Sequence, residues 1–147
     1  MEIQNLIRRS AVTLPATASL AEAARLMKEN DVGSVVITDG ARVVGIVTDR
    51  DIVVRLVAEG RNPATAAAEE AMTRAPVCLA AGSDVEECLN RMEAHGVRRI
   101  PLLDARGKLV GVVSLDDVLL YLGVQMGSAA ALIRKEVVAV PVHSTAP

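Results

Sequence analysis

Two segments of this chain carry a hydroxyl residue and a carboxylate at a fixed spacing. Gly45-Ile46-Val47-Thr48-Asp49-Arg50-Asp51 is the first, and Gly111-Val112-Val113-Ser114-Leu115-Asp116-Asp117 the second. Each reads glycine, two β-branched apolar residues, Thr or Ser, two variable positions and an aspartate. A strand-like apolar run precedes each segment and a helix-like run follows it, so the hydroxyl falls where a strand ends and a helix begins. Such a corner presents free backbone N–H groups and the positive end of a helix dipole, and both suit a phosphate. The carboxylate, one turn later, could accept hydrogen bonds from a sugar diol. The pair is therefore a candidate for holding the ribose and phosphate of a nucleotide. The same spacing also writes a capping box, in which hydroxyl and acid only tie off a helix start. The residues alone leave both readings open.

No other constellation carries a reaction. Ser114 and Asp117 have no histidine that the sequence can place beside them, so a Ser-His-Asp arrangement is unsupported. His95 follows a helical stripe and precedes Gly96, the place of a helix-end residue, and His143 lies in the C-terminal tail. Cys78, Cys88 and His95 could in principle share a zinc ion. Cys88, however, falls on an apolar helical stripe and Cys78 in a strand, so both read as packing residues, as do Met27 and Met92. No Gly-rich phosphate loop of the nucleotide-hydrolysing kind is present. The expectation is a protein without catalysis, metal or required cofactor.

The elements that must position the two corners come from a repeat. A shift of 65 aligns Val12 with Val77, Leu14 with Leu79, Glu22 with Glu87, Met27 with Met92, Val32 with Val97 and Asp39 with Asp104. One extra residue in the second copy then makes the shift 66, which aligns Gly45 with Gly111, Val47 with Val113 and Asp51 with Asp117. Units of about 55 residues rarely bury enough surface to stand alone, so the copies should pack together. In the first copy, residues 3–9 read as a short lead-in helix, and Val12-Thr13-Leu14 as extended up to Pro15. Leu20, Ala23, Ala24 and Met27 mark a helix with one buried face, capped by Ser19. Residues 32–37 and 42–47 read as strands joined at Asp39-Gly40. A second helix should run from Asp49 to Glu59, stopping at Gly60 with Pro63 beyond it.

The second copy repeats this order. Val77-Cys78-Leu79 is extended. Val85, Cys88, Leu89 and Met92 form the helical stripe, capped near Ser83 or Asp84. Strands at 97–103 and 108–113 lead to a helix over 115–122. The segment from Gly60 to Glu70 reads as a linker that turns helical near Thr65. Residues 124–147 read as a separate tail, helical over Ala130–Val138 and loose from Pro141 to Pro147.

Composition narrows the function classes. The chain has 147 residues, half of them apolar (51%), and a formal charge of −2 with acids and bases interspersed. Tyr121 is the sole aromatic residue, so a planar ligand must lie between aliphatic side chains and backbone. Single-stranded nucleic acid, whose binders stack bases on aromatic rings, is disfavoured, and no basic stripe suits a polyphosphate backbone. No apolar run approaches the roughly 20 residues of a bilayer-spanning helix. Met1-Glu2-Ile3-Gln4-Asn5 does not begin a signal peptide. Two cysteines make no disulfide framework. The reading is a reduced, cytoplasmic protein with no nucleic-acid or membrane partner.

The doubled Gly-hydrophobic-hydrophobic-Thr/Ser-x-x-Asp segment is one of three matching features. The others are the run His95-Gly96-Val97-Arg98-Arg99-Ile100-Pro101-Leu102-Leu103-Asp104 and the lead-in Ala71-Met72-Thr73. In this order, over roughly residues 5–123, the chain resembles the cystathionine-β-synthase (CBS) domain pair, or Bateman module. The resemblance implies an α/β (α+β) fold of tandem repeats, each β-α-β-β-α, packed sheet-to-sheet about a pseudo-two-fold axis. The first repeat would cover 1–60, a linker 61–70, the second repeat 71–123 and the tail 124–147. It implies regulatory binding of adenine nucleotides (AMP, ADP or ATP), less often S-adenosylmethionine, and assembly as a homodimer.

Carried over to this sequence, the resemblance implies two clefts that each draw on both copies. In one, Ser114 would meet the phosphate and Asp117 the ribose, with Val112, Ala11, Val12, Val32 and Gly33 lining the base. In the other, Thr48 and Asp51 would act with Ile46, Thr73, Pro76, Val77, Val97 and Arg98. Arg50, Arg98 and Arg99 are expected to gather at the Thr48/Asp51 cleft, where guanidinium groups would favour the more highly phosphorylated nucleotide. The regulated protein would be a separate partner, with residues 124–147 as adaptor. Two alternatives are a structural dimer with empty clefts and a redox or metal sensor built on Cys78 and Cys88.

Overall fold

The computed structural model describes residues 1–139. Two sheets, each flanked by helices, carry the two copies. The first has strand order β1 (Thr13–Pro15), β2 (Ser34–Asp39), β3 (Arg42–Thr48), β4 (Thr73–Arg74). The second runs β5 (Leu79–Ala80), β6 (Arg99–Leu103), β7 (Leu109–Ser114). In each sheet the first strand is parallel to the second and the hairpin that follows is antiparallel. Helix α1 (Leu20–Asn30) joins β1 to β2, and α3 (Val85–His95) joins β5 to β6. Both start on side-chain caps: Ser19 Oγ accepts from Glu22 N at 3.1 Å, and Asp84 Oδ1 from Glu87 N at 2.8 Å. Each satisfies one of the N–H groups that a helix start leaves open.

The lead-in segments are exchanged. Ile3–Leu6 is one 3₁₀ turn rather than a helix to residue 9, and Ile3 and Leu6 are buried in the second core with Leu79, Cys88, Ile100 and Val113. The matching 3₁₀ turn, Ala68–Glu70, buries Ala68, Ala71 and Met72 in the first core with Leu14, Leu20, Val35 and Val47. The hydrogen bonds repeat with the sequence. Ile3 N donates to Ser83 O and Gln4 N to Ala81 O, while Ala68 N donates to Ala18 O and Glu69 N to Ala16 O. Strand β4 completes the exchange by pairing Thr73 with Ile46 of β3. Each fully buried aliphatic side chain contributes about 1.5–3 kcal/mol, so the exchange fastens the copies to one another.

This docking explains the glycine of the doubled motif. A Cβ on Gly111 would stand 2.6 Å from Ile7 Cδ1, and one on Gly45 would stand 2.9 Å from Met72 Cγ. A side chain at either position would push Met72 or Ile7 aside, so glycine lets the other copy's lead-in lie close to the strand.

The helices after the corners differ from expectation. Helix α2 covers Asp49–Ile52 and widens into a π turn over Val53–Val57 before Gly60, at φ 68°, ends it. Ile52 and Leu56 face the first core, four residues apart, whereas Val118 and Tyr121 face the second core three apart. The π turn thus absorbs one residue and returns the two copies to a shift of 65. Helix α4 does not stop at Leu122 but runs from Leu115 to Ala139, through Gly123 and Gly127. An isolated glycine lowers helix stability by only about 1 kcal/mol, so continued hydrogen bonding carries the helix across. Pro141–Pro147 and His143 lie outside the described residues.

Helix α4 also corrects the reading of membrane-spanning potential. Leu115–Lys135, 21 residues, is long and apolar enough to cross a bilayer by length and composition. Val118 is fully buried in the second core and Asp117 belongs to a corner, so the first turns are committed to the fold. The apolar remainder, Leu122–Ile133, spans only about 18 Å at 1.5 Å per residue, short of the roughly 30 Å of a hydrocarbon core.

Two outcomes test this packing. Gly111→Ala is expected to lower stability by about 1–3 kcal/mol in urea denaturation, and Ile7→Ala in the same background to recover part of the loss. Burial raises the pKa of the Cys78 and Cys88 thiols, with the Glu87 carboxylate adding to the second. Fewer thiolates form at neutral pH, so iodoacetamide should modify both more slowly than a free thiol. Cys78 should react before the fully buried Cys88, as read by mass spectrometry.

Candidate functional site

Both corners are capping boxes. At the first, Asp51 Oδ2 accepts from Thr48 N at 2.8 Å and Thr48 Oγ1 from Asp51 N at 3.1 Å. At the second, Asp117 Oδ2 accepts from Ser114 N at 2.8 Å and from Ser114 Oγ at 2.7 Å, while Ser114 Oγ accepts from Asp117 N at 3.1 Å. The following N–H of each corner goes to a facing loop. Asp49 N donates to Gly33 O at 3.1 Å and Leu115 N to Arg98 O at 2.8 Å. The expected set of free N–H groups is therefore largely committed within the fold. The charge of a bound phosphate would have to be met by side chains.

The Ser114/Asp117 corner opens on a cavity of about 370 Å³. Val112, Ser114 and Asp117 line it from the second copy, and Ala11, Val12, Val32 and Gly33 from the first. These are the seven residues expected at that cleft. Leu120 adds an apolar wall, and Arg8, Arg9 and Arg99 add three cations. Arg9 pairs with Asp31 across the mouth at 3.1 Å. Among the described residues, Asp117 Oδ1 has no hydrogen-bond partner, so the carboxylate can cap the helix with one oxygen and accept from a ligand with the other.

The residues assigned to the other cleft also come from both copies. Ile46 is buried beside Thr73 in the β3–β4 pair, with Thr48 and Asp51 partly covered. Val77 and Val97 pack against the second core, and Pro76 precedes them half-buried. The expected grouping of arginines there does not form. Arg50 is exposed. Arg98 pairs with Asp116 at 3.4 Å, on its own copy's corner. Arg99 reaches over Gly33 into the Ser114/Asp117 cavity, with Nη1 3.8 Å from Asp49 Oδ1. A Cβ on Gly33 would lie 2.9 Å from Arg99 Cζ, so the glycine gives the guanidinium its room. Arg99 thus joins Arg8 and Arg9 at the Ser114 cleft, whose lining also holds Asp31, Asp116 and Asp117.

Arg55, Arg8, Arg9 and Leu120 were not among the residues expected from the sequence. Arg55 lies against Asp51, its Nε 3.6 Å from Oδ1, and reaches Ala71 O at 3.1 Å. Its spacing of four from Asp51 was the available signal, since charges one helical turn apart meet. Arg8 and Arg9 stand one repeat shift before Thr73 and Arg74, so naming Thr73 for one cleft pointed to Arg8 for the other. His95 sits exposed at the end of α3, its Nδ1 3.0 Å from Arg91 O. Among the described residues, no group of three or more His, Cys, Asp and Glu side chains is placed to hold a metal ion.

Comparison with known proteins matches this architecture. The model of the CBS domain matches residues 3–58 and again 68–124. A protein of Methanopyrus kandleri is 33% identical over 120 residues, 81% of this chain and 61% of that protein, so the chain spans less than two thirds of that relative. Hypoxic response protein 1 of Mycobacterium tuberculosis is 39% identical over 105 residues, 71% of this chain and 73% of that protein. A crystal structure of Hypoxic Response Protein I with two coordinated zinc ions has a TM-score of 0.71 at 33% identity, covering 81% of this chain and 97% of the other. A CBS domain protein of Pyrobaculum aerophilum, solved in complex with AMP, has a TM-score of 0.75 at 29% identity, covering 84% of this chain and 99% of the other. Two matches to one model, on two copies that exchange their lead-in turns, show that the chain belongs to the CBS-domain family, as a tandem pair forming a regulatory module.

Proposed function

We propose that the chain senses an adenine nucleotide in the Ser114/Asp117 cleft and transmits its presence without chemistry. One observation carries this reading: an open cavity lined by both copies, with an uncommitted carboxylate oxygen at one wall and three arginines at the others. Asp117 Oδ1 accepts from the ribose hydroxyls. Ala11, Val12, Val32 and Val112 sandwich the base in place of aromatic rings, and Arg8, Arg9 and Arg99 face the phosphate. The Pyrobaculum aerophilum protein complexed with AMP supports the ligand class. S-adenosylmethionine is the weaker candidate, since its sulfonium would sit among these cations.

A ligand that bridges the copies shifts the balance between two relative arrangements by its differential affinity for them. The surface that would report the shift is apolar. Val53 and Val57 on α2, each 58% exposed, and Leu119 and Leu132 on α4, 54% and 60% exposed, leave both corner helices uncovered. A helix that is apolar on most sides is normally buried. We assign these faces to a homodimer, with a separate regulated protein as downstream partner in the cytoplasm.

Thermal shift with AMP, ADP, ATP and S-adenosylmethionine tests the ligand class. Stabilisation by an adenine nucleotide is expected, and no shift with any of the four would favour the empty-cleft structural dimer. Asp117→Ala should weaken binding by roughly ten- to hundredfold, the value of about 1.5–3 kcal/mol for a hydrogen bond to a charged group, while Asp51→Ala should weaken it far less. Native mass spectrometry should show a dimer, and Leu119→Glu should shift it to monomer.

A further inference from the structure

The repeat makes the two clefts comparable residue by residue, and they differ at one wall. Leu120 lines the Ser114/Asp117 cavity. The π turn restores the shift of 65, which places Leu56 with Tyr121 and hence Arg55 with Leu120. Arg55 points the other way from a passive wall. Its Nη1 donates to Ala71 O at 3.1 Å and to Thr73 Oγ1 at 3.4 Å, and its Nε stands 3.6 Å from Asp51 Oδ1. Thr73 matches Arg8 of the open cavity under the same shift. The guanidinium therefore crosses from the helix of one copy to the lead-in of the other, over space that is open in the cleft with leucine.

We propose that Arg55 is an internal occupant of the Thr48/Asp51 cleft and limits the chain to one tightly held nucleotide. This rests on the reading of the Ser114/Asp117 cleft as the nucleotide site. A ribose diol at the Thr48/Asp51 corner would have to bond Asp51 Oδ1, the oxygen that already faces Arg55. It would also have to displace the arginine from the Ala71 carbonyl. At the other corner Asp117 Oδ1 is uncommitted, and Leu120 has no polar group to move. The Arg55 side chain is 47% exposed, so its contacts are screened by water and displaceable. The block is a difference in affinity, and it sets the order in which the two clefts fill.

Isothermal titration of the full chain with AMP tests this. Wild type should bind one equivalent. Arg55→Leu, which copies the Leu120 wall, should bind two, the second gaining at least tenfold in affinity. Arg55→Met, which keeps an unbranched stem without donors, should do the same if the leucine variant folds poorly. Asp117→Ala should weaken the wild-type equivalent by roughly ten- to hundredfold, and the Asp117→Ala/Arg55→Leu double variant should show one tight equivalent, held in the Thr48/Asp51 cleft. Two equal equivalents in wild type, or weaker binding in both Arg55 variants, would overturn the proposal and make Arg55 a ligand contact. Binding of one equivalent only after Arg55 is replaced would refute the Ser114/Asp117 reading and leave the role of Arg55 standing. No binding by any variant would overturn both.

Discussion

The exchange of lead-in turns is the constraint on which the rest of the molecule depends. Neither copy closes its own core: Ile3 and Leu6 complete the second, and Ala68, Ala71 and Met72 complete the first. The exchange brings Ala11 and Val12 of one copy to the cavity lined by Ser114 and Asp117 of the other. The cleft is therefore a by-product of the device that makes two small units stable as one. It follows that Gly45 and Gly111, whose absent side chains admit Met72 and Ile7, govern the cleft without facing a ligand.

The corner motif serves the fold as a helix cap, and the proposed function gives it recognition as a second task. A capping box uses the backbone N–H groups and one carboxylate oxygen, so it removes much of the anion-binding capacity of a helix start. What it leaves is a rigid acid whose other oxygen is aimed by the cap itself. Under the proposed function, the charge that meets a phosphate comes from side chains, and Arg8 and Arg9 after the lead-in and Arg99 on β6 line the cavity where it would be needed. Arg9 pairs with Asp31, which partly compensates that charge.

The copies have diverged where divergence costs the fold least. The core positions Val47 and Val113 remain alike, as do the two hydroxyl-acid pairs. The helices that follow do not. One widens into a π turn and carries Arg55 across its cleft, and the other continues as a regular helix to Ala139 with Leu120 at its cleft. Exposed helix positions carry few packing constraints, so they are free to set the ligand properties of each cleft and the surface offered to a partner.

The chain's duplication, both hydroxyl-acid corners and most of both helix stripes were legible in the sequence, because each depends on residues within a few positions of one another. Ala24, expected on the buried face of α1, is exposed, and Leu26 packs against the core instead. Hydrophobic period, capping spacing and turn residues are local signals, and Ser19, Asp84 and Gly40 each act where local chemistry places them. The destinations of long side chains were not legible. Arg99 reaches the cleft opposite to the one expected, Arg55 bonds a carbonyl of the other copy's lead-in, and the helix break expected at Gly123 is absent. A flexible guanidinium goes where space and carbonyl oxygens are offered by segments distant in sequence. A helix continues past glycine when nothing nearby offers its carbonyls another partner. Those choices belong to tertiary structure because the competing free energies arise between residues that only the fold brings together.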